Sequence, residues 1–237
     1  PWRISQSEIH HILVAGRARS GKTVGAMRFV YEAYSKWAWG VDPETGEPKR
    51  LSVIALDWKQ DWRNLKRLVP PEKFRFFSLA DPRLSPIRFN VLAVPEGIYP
   101  DQWIHTVISA FLMAFSMGGR AKAILDQHLT ELYQKYDVFN HPENSRLCTM
   151  YELWALVDKK AQEWVTSSGD KKTVGPRVGN DTKDAYQRVL DRLSYFTKPT
   201  MRELYGDTSA NALTITDLVQ ARNTVTVLEG AGLDAGI

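Results

Sequence analysis

The sequence predicts an α/β fold, a parallel sheet carrying a large all-helical insertion. Three observations predict it. Apolar runs at residues 11–15, 51–57 and 223–229 have the length and composition of buried parallel strands. A loop with glycine at both ends, residues 16–21, joins the first run to a segment of helical apolar spacing. From residue 100 to about 205, one amphipathic helical pattern follows another with no strand-like run between them. The expected division is a first half of the core over 1–99, a helical subdomain over 100–205, and a return to the core sheet over 206–237.

Taken in order, residues 1–10 are a polar lead-in to the first strand, which is expected near the centre of the sheet with 51–57 further out. After the glycine loop, Ala26, Phe29, Val30, Ala33 and Trp37 recur at helical spacing, so a helix is expected to about Trp39. Glycine- and proline-rich residues 40–48 read as a surface turn. The strand 51–57 ends in Asp57. Ligands of open α/β sheets sit beyond the carboxyl ends of strands, which aims Asp57 at the edge carrying the loop; a solvated loop acid is the alternative. Asp61 fits the N-cap of a helix over 62–68. Residues 73–78 alternate and suggest a short strand, and Pro82, Pro86 and Pro95 mark irregular chain.

The helical region opens with a strongly apolar segment, 102–117, closed by Gly118 and Gly119. Ala121, Ile124, Leu125, His128, Leu132 and Tyr136 form the stripe of the next helix. His128 reads as a core histidine, because no acid or second histidine stands at metal-site spacing. Thr149 and Glu152 make a capping box for a helix with Leu153, Trp154, Val157, Ala161 and Trp164 inward. Residues 167–182, rich in Gly and Lys, read as an exposed loop. In the helix 184–196, Ala185, Val189, Leu193 and Phe196 share one face, and Asp184, Arg188 and Arg192 form another row. Thr216 and Asp217 start a helical turn before the last strand and its Gly230 turn.

The loop carries the chemistry. Gly16-Arg17-Ala18-Arg19-Ser20-Gly21-Lys22-Thr23 matches the phosphate-binding pattern G-x-x-x-x-G-K-[ST] at every fixed position, in the order strand, loop, helix. The glycines let the backbone approach an anion, and the amides through Val24 converge on it at the positive end of the helix dipole. Lys22 can reach the β- and γ-phosphates of ATP, and the Thr23 hydroxyl can ligate Mg2+. Two strands end in an acid, at Asp57 and Glu229, and neither has the pattern of the second acid that a complete ATPase needs for Mg2+.

Bulk properties narrow the class. With 237 residues, 43% hydrophobic and 24% charged, the chain can bury a substantial core. Its single cysteine, Cys148, excludes an internal disulfide and any CxxC metal site. The longest apolar run is too short to span a bilayer and the start is no signal peptide, so the expectation is a cytoplasmic protein. Beginning at Pro1, the chain reads as trimmed, with membrane association through an absent upstream segment. Net charge of +4 permits a nucleic-acid partner without requiring one.

The loop together with Leu56-Asp57-Trp58-Lys59-Gln60-Asp61-Trp62 resembles the HerA/FtsK group of P-loop ATPases, within which VirB4- and TraG-type conjugation ATPases fall. That group has D-P-[KH]-G-[ED]-[YW] at the end of its second strand. Asp57, Lys59, Asp61 and Trp62 keep the pattern, while Trp58 and Gln60 stand where it has Pro and Gly. Phe89-Asn90, a helical insertion and the strand at 225–229 follow in the group's order.

The resemblance implies a RecA-like P-loop NTPase, an ATP-driven translocase or helicase acting on double-stranded DNA as a homo-hexamer. Lys22 and Asp57 are then its catalytic residues, and ATP and Mg2+ its cofactors. It places the Walker B acid and a sensor glutamine after residue 237, so residues 1–237 alone are expected to be nearly inactive, and missing regions would hold any membrane or nuclease partner. Lys171, Lys172, Arg177 and Lys183 are candidate DNA contacts, and Arg120 a candidate subunit-interface arginine; a solvated linker and a surface arginine are the plainer alternatives. Two other classes stay open: a small-molecule P-loop kinase, and a non-catalytic nucleotide-binding interaction module.

Overall fold

The computed structural model describes residues 14–36, 40–41, 43–44, 46–49, 51–167, 180–206, 208–209, 212–219, 221 and 223–231, with the side chains of 164–167 and 180 outside the description. The chain divides into two compact units, residues 1–79 with 218–231, and residues 80–217 with 232–237.

The first unit holds a three-stranded parallel sheet of β1 (Val53–Asp57), β2 (Phe74–Ser78) and β3 (Val225–Glu229), in the order β1-β3-β2. Val225 pairs with both Val53 and Phe74, and Glu229 with both Asp57 and Ser78, so all three strands end level at one edge. The last strand in sequence is the middle one among the described residues. It is buried along its whole length, as its Val-Thr-Val-Leu composition requires. The alternating segment 74–78 joins this sheet as its second edge.

β1 departs from the expectation of a fully buried strand. Ala55 and Asp57 are buried, whereas Ile54 and Leu56 on the opposite face are exposed, Leu56 to 66%. Residues 11–13 of the first expected strand lie outside the described residues, and Val14 and Ala15 are in no strand.

Helix α1 (Lys22–Lys36) follows the loop and buries Ala33, of the expected stripe, with Tyr34 beside it, while Ala26 and Val30 are half-buried. Tyr34, Leu65, Val69 and Val225 form the small core of this unit, with Met27 and Tyr31 against it, and Phe29 is exposed. The i, i+4, i+7 row Met27-Tyr31-Tyr34 widens the buried face, since tyrosine buries a large ring while its hydroxyl can keep a partner. Tyr34 Oη donates to the Asn223 carbonyl at 3.1 Å, tying α1 to the approach of β3.

The second unit is helical: α2 (Pro100–Ala114), α3 (Gly119–Lys135), α4 (Met150–Ser167), α5 (Asn180–Leu193) and the short α6 (Pro199–Tyr205), with α7 (Ile215–Val219) at the division of the chain. α3 packs against α2, α4 and α5, and α4 against α5. Trp103, Ile104, Val107, Ile108 and Phe111 of α2 are buried in this core, each contributing about 1.5–3 kcal/mol by its transfer from water. α5 starts at Asn180, so residues 180–182 are helical and not loop. The expected Val189 and Leu193 are fully buried, Ala185 and Phe196 pack against the same core, and Tyr186 and Leu190 extend the buried face.

Polar side chains inside this core are paired. His128 is the expected core histidine, with Nε2 at 3.0 Å from Tyr186 Oη and Nδ1 at 3.1 Å from Glu131. Buried Asn90 donates to the carbonyls of Arg146 and Cys148 and accepts from the Leu92 amide, which pins the irregular segment before α2. Thr149 Oγ1 caps α4 by accepting from the Glu152 amide. The Glu152 carboxylate completes no capping box and instead binds Tyr136 and Lys135.

Candidate nucleotide-binding site

The loop 16–21 is folded as a turn that feeds α1. Ser20 N donates to the Arg17 carbonyl at 3.3 Å, and Arg19 and Gly21 take left-handed backbone angles, φ 62° and 82°. Glycine adopts that region freely; for Arg19 it costs about 1 kcal/mol. The first helical bond runs from Gly25 N to Gly21 O at 2.8 Å, leaving the earlier amides of α1 without intrahelical acceptors.

Lys22 folds back over the loop, its Nζ donating to the carbonyls of Gly16 at 2.8 Å and Arg17 at 2.6 Å. A positive charge is thereby held at the concave side of the loop before any ligand arrives. A Cβ on Gly16 would lie 2.7 Å from Ser20 Oγ and 3.5 Å from Lys22 Cγ, so a side chain there would require the Ser20 hydroxyl to move. Thr23 stands half-buried in the first turn. These residues fit a nucleotide phosphate with its Mg2+: amides and Lys22 for the phosphate oxygens, the Thr23 hydroxyl for the cation.

The sheet edge that carries Asp57 and Glu229 is organised differently from the sequence expectation. Asp57 is 3% exposed; its Oδ1 accepts from Lys59 N at 3.0 Å and its Oδ2 from Trp62 N at 2.9 Å. It therefore closes the turn after β1 and caps the 3-10 helix Trp62–Arg67. Asp61, the expected N-cap, makes no capping bond, because Asp57 has already taken the Trp62 amide. Gln60, where the group's pattern has glycine, adopts φ 64°, the left-handed conformation a glycine would supply. Trp58 lies against Gly230, where a Cβ would come within 1.2 Å of its ring, and Gly230 N donates to the Asp57 carbonyl at 2.9 Å.

Glu229, 2% exposed, is held by Arg63, which sequence reasoning missed. Arg63 Nε donates to Oε2 at 2.9 Å and its Nη2 to Oε1, a bidentate pair, and the guanidinium lies 5.6 Å from the centre of the Phe76 ring. The bond to Glu229 raises the Arg63 pKa further. The two residues are 166 apart in sequence, and only the strand register shows that they meet.

The remaining expected site residues are separate from the cradle in the chain division. Lys183 is exposed on α5 and not on a loop, and Lys171, Lys172 and Arg177 lie outside the described residues. Arg120, in the first turn of α3, pairs with Asp181 at 2.8 Å, both side chains exposed. Among the described residues no group of His, Cys, Asp or Glu could hold a metal ion by itself, and no helix is long and apolar enough to cross a membrane.

No protein-family model matches the chain, and no curated protein matches it in sequence. Its structure is similar to that of VirB4 of Thermoanaerobacter pseudethanolicus, with a TM-score of 0.54 at 16% identity, over 91% of this chain and 68% of that one. Together with the parallel sheet, the loop–helix unit and the helical body, this likeness shows that the chain has the α/β fold of a P-loop NTPase.

Proposed function

We propose that the chain is the ATP-binding motor domain of a DNA translocase of the kind found in conjugation, related to the VirB4- and TraG-type ATPases. The observation that carries the reading is the complete phosphate loop with Lys22 Nζ held across two of its carbonyls. On binding ATP, Lys22 exchanges those carbonyls for phosphate oxygens, and the amides at the start of α1 take the remaining charge. Mg2+ at Thr23 would neutralise the β- and γ-phosphates. Asp57 and Glu229 are both engaged, by turn amides and by Arg63, so they act as positioning groups of the site edge. The acid that orients water comes from outside the described strands. The similarity to VirB4 in fold and the order of motifs support the reading, as does the sequence's mildly basic balance.

Action on double-stranded DNA, assembly as a homo-hexamer, DNA contacts through Lys171, Lys172, Arg177 and Lys183, and Arg120 at a subunit interface belong to this proposal. The test is ATP hydrolysis by the full-length protein, measured with and without duplex DNA. Stimulation by duplex DNA is the expected result. Hydrolysis indifferent to DNA but dependent on an added phosphoryl acceptor would replace the translocase reading by a small-molecule kinase. ATP binding with no turnover in any of these conditions would leave a nucleotide-binding interaction module.

A further inference from the structure

We infer that Arg19 is a specificity residue of the phosphate loop: its guanidinium, with that of Arg17, selects nucleotides by phosphate charge. The inference rests on the nucleotide-binding reading and adds to it which nucleotide is preferred, and by what.

The starting observation is an outlier. Arg19 is the third residue of the turn closed by Ser20 N and Arg17 O, and its φ is 62°. That position of a turn, with positive φ, is the one glycine occupies at no cost. Gly21, two residues on, uses the same region with φ 82° and no side chain. A long, β-unbranched but fully formed side chain at Arg19 costs stability and gains no packing, since the residue is exposed. Strain of this kind clusters at ligand-binding sites, where the surrounding structure holds it in place.

Charge is what the side chain brings. Lys22 Nζ is already committed to the loop's concave side by the Gly16 and Arg17 carbonyls. Arg17 and Arg19 are exposed on the same six-residue loop, and among the described residues neither guanidinium has a hydrogen-bond or ion-pair partner. The loop therefore presents three cationic groups, with no acid among residues 14–31 to offset them. Each further phosphate on a nucleotide adds negative charge next to these groups. One unit charge at about 6 Å from another, in surroundings close to water, changes binding about threefold. Arg19 should thus raise the preference for ATP over ADP by about threefold, and the gain should shrink as salt is added.

The test is titration of ATP and of ADP, at fixed Mg2+ and at low and high salt, into the wild-type chain, Arg19→Gln, Arg19→Lys and Lys22→Ala. Arg19→Gln keeps the Cβ and its backbone cost but removes the charge, and Arg19→Lys restores the charge. The expected result is that Arg19→Gln lowers the ATP:ADP preference about threefold at low salt, Arg19→Lys recovers most of it, and high salt removes the difference. An unchanged preference in Arg19→Gln, with wild type still binding ATP in a Lys22-dependent way, would overturn this inference alone. A wild-type chain that binds neither nucleotide would overturn the nucleotide reading and the inference with it.

Discussion

Replacing Arg63 by methionine should destabilise the sheet unit by about 2–4 kcal/mol. Glu229 is 2% exposed and both its oxygens are taken by the one guanidinium. Removing a partner from a fully buried ion pair costs about 3–5 kcal/mol, because the remaining charge is left without compensation. The Arg63 side chain is 38% exposed, so water screens part of the pair and the figure comes down. The contact with Phe76 returns about 0.5–1 kcal/mol to the loss.

Urea denaturation, with hydrogen exchange at the amides of Val225–Glu229 as the local probe, measures the change. The double variant Arg63→Met with Glu229→Met should be more stable than Arg63→Met alone, since the orphaned carboxylate is gone. An Arg63→Met variant within about 0.5 kcal/mol of wild type, or strictly additive single changes, would refute the claim that this pair anchors the strand ends.

Three further outcomes follow from the same geometry. Asp57→Ala should cost about 1–2 kcal/mol in urea denaturation, as expected for a lost cap, because the Lys59 and Trp62 amides lose their acceptor. Gln60→Gly should be neutral or stabilising by up to about 1 kcal/mol, measured as a rise in Tm, since it removes the left-handed cost at φ 64° while loosening the unfolded chain. The buried Cys148 thiol, with its pKa pushed up to about 12 by desolvation, should resist a thiol reagent at pH 8 until the helical unit unfolds. Because the folded state holds this proton more tightly, its contribution is intact below the unfolded pKa of about 8.5 and is lost as pH rises toward 12, which denaturation at pH 7, 9 and 10.5 would show.

Local signals in the sequence were reliable where one residue type has one use. The loop–helix geometry of residues 16–36 was legible from the glycine, lysine and threonine spacing, and the structure folds the loop as a turn entering α1. His128 was legible as a core group from the absence of metal-site partners, and Thr149 as a cap from its place before an apolar run. Faces of helices were less legible. In α1 and α5 the expected Ala33, Val189 and Leu193 are buried, but tyrosines share the face, and a pattern built on aliphatic residues missed Tyr31, Tyr34 and Tyr186.

What joins distant segments was not legible at all. The Arg63–Glu229 pair depends on β1 and β3 lying side by side in register, and no spacing rule links position 63 to position 229. The roles of Asp57 and Asp61 were exchanged for a similar reason. Both are acids before a helical turn, and only the path of the chain through Gln60, in its left-handed conformation, decides which carboxylate reaches the Trp62 amide.

The central claim is that Lys22 and the amides at the start of α1 form a nucleotide phosphate site. Titration of a fluorescent ATP analogue into the wild-type chain and into Lys22→Ala tests it most directly, with circular dichroism confirming that both are folded. Lys22 is held only by two loop carbonyls, so its loss should spare the fold and weaken binding at least tenfold, about 1.4 kcal/mol for a charge-assisted phosphate contact. Equal affinity of the two proteins for the analogue, or no saturable binding by wild type, would contradict the account.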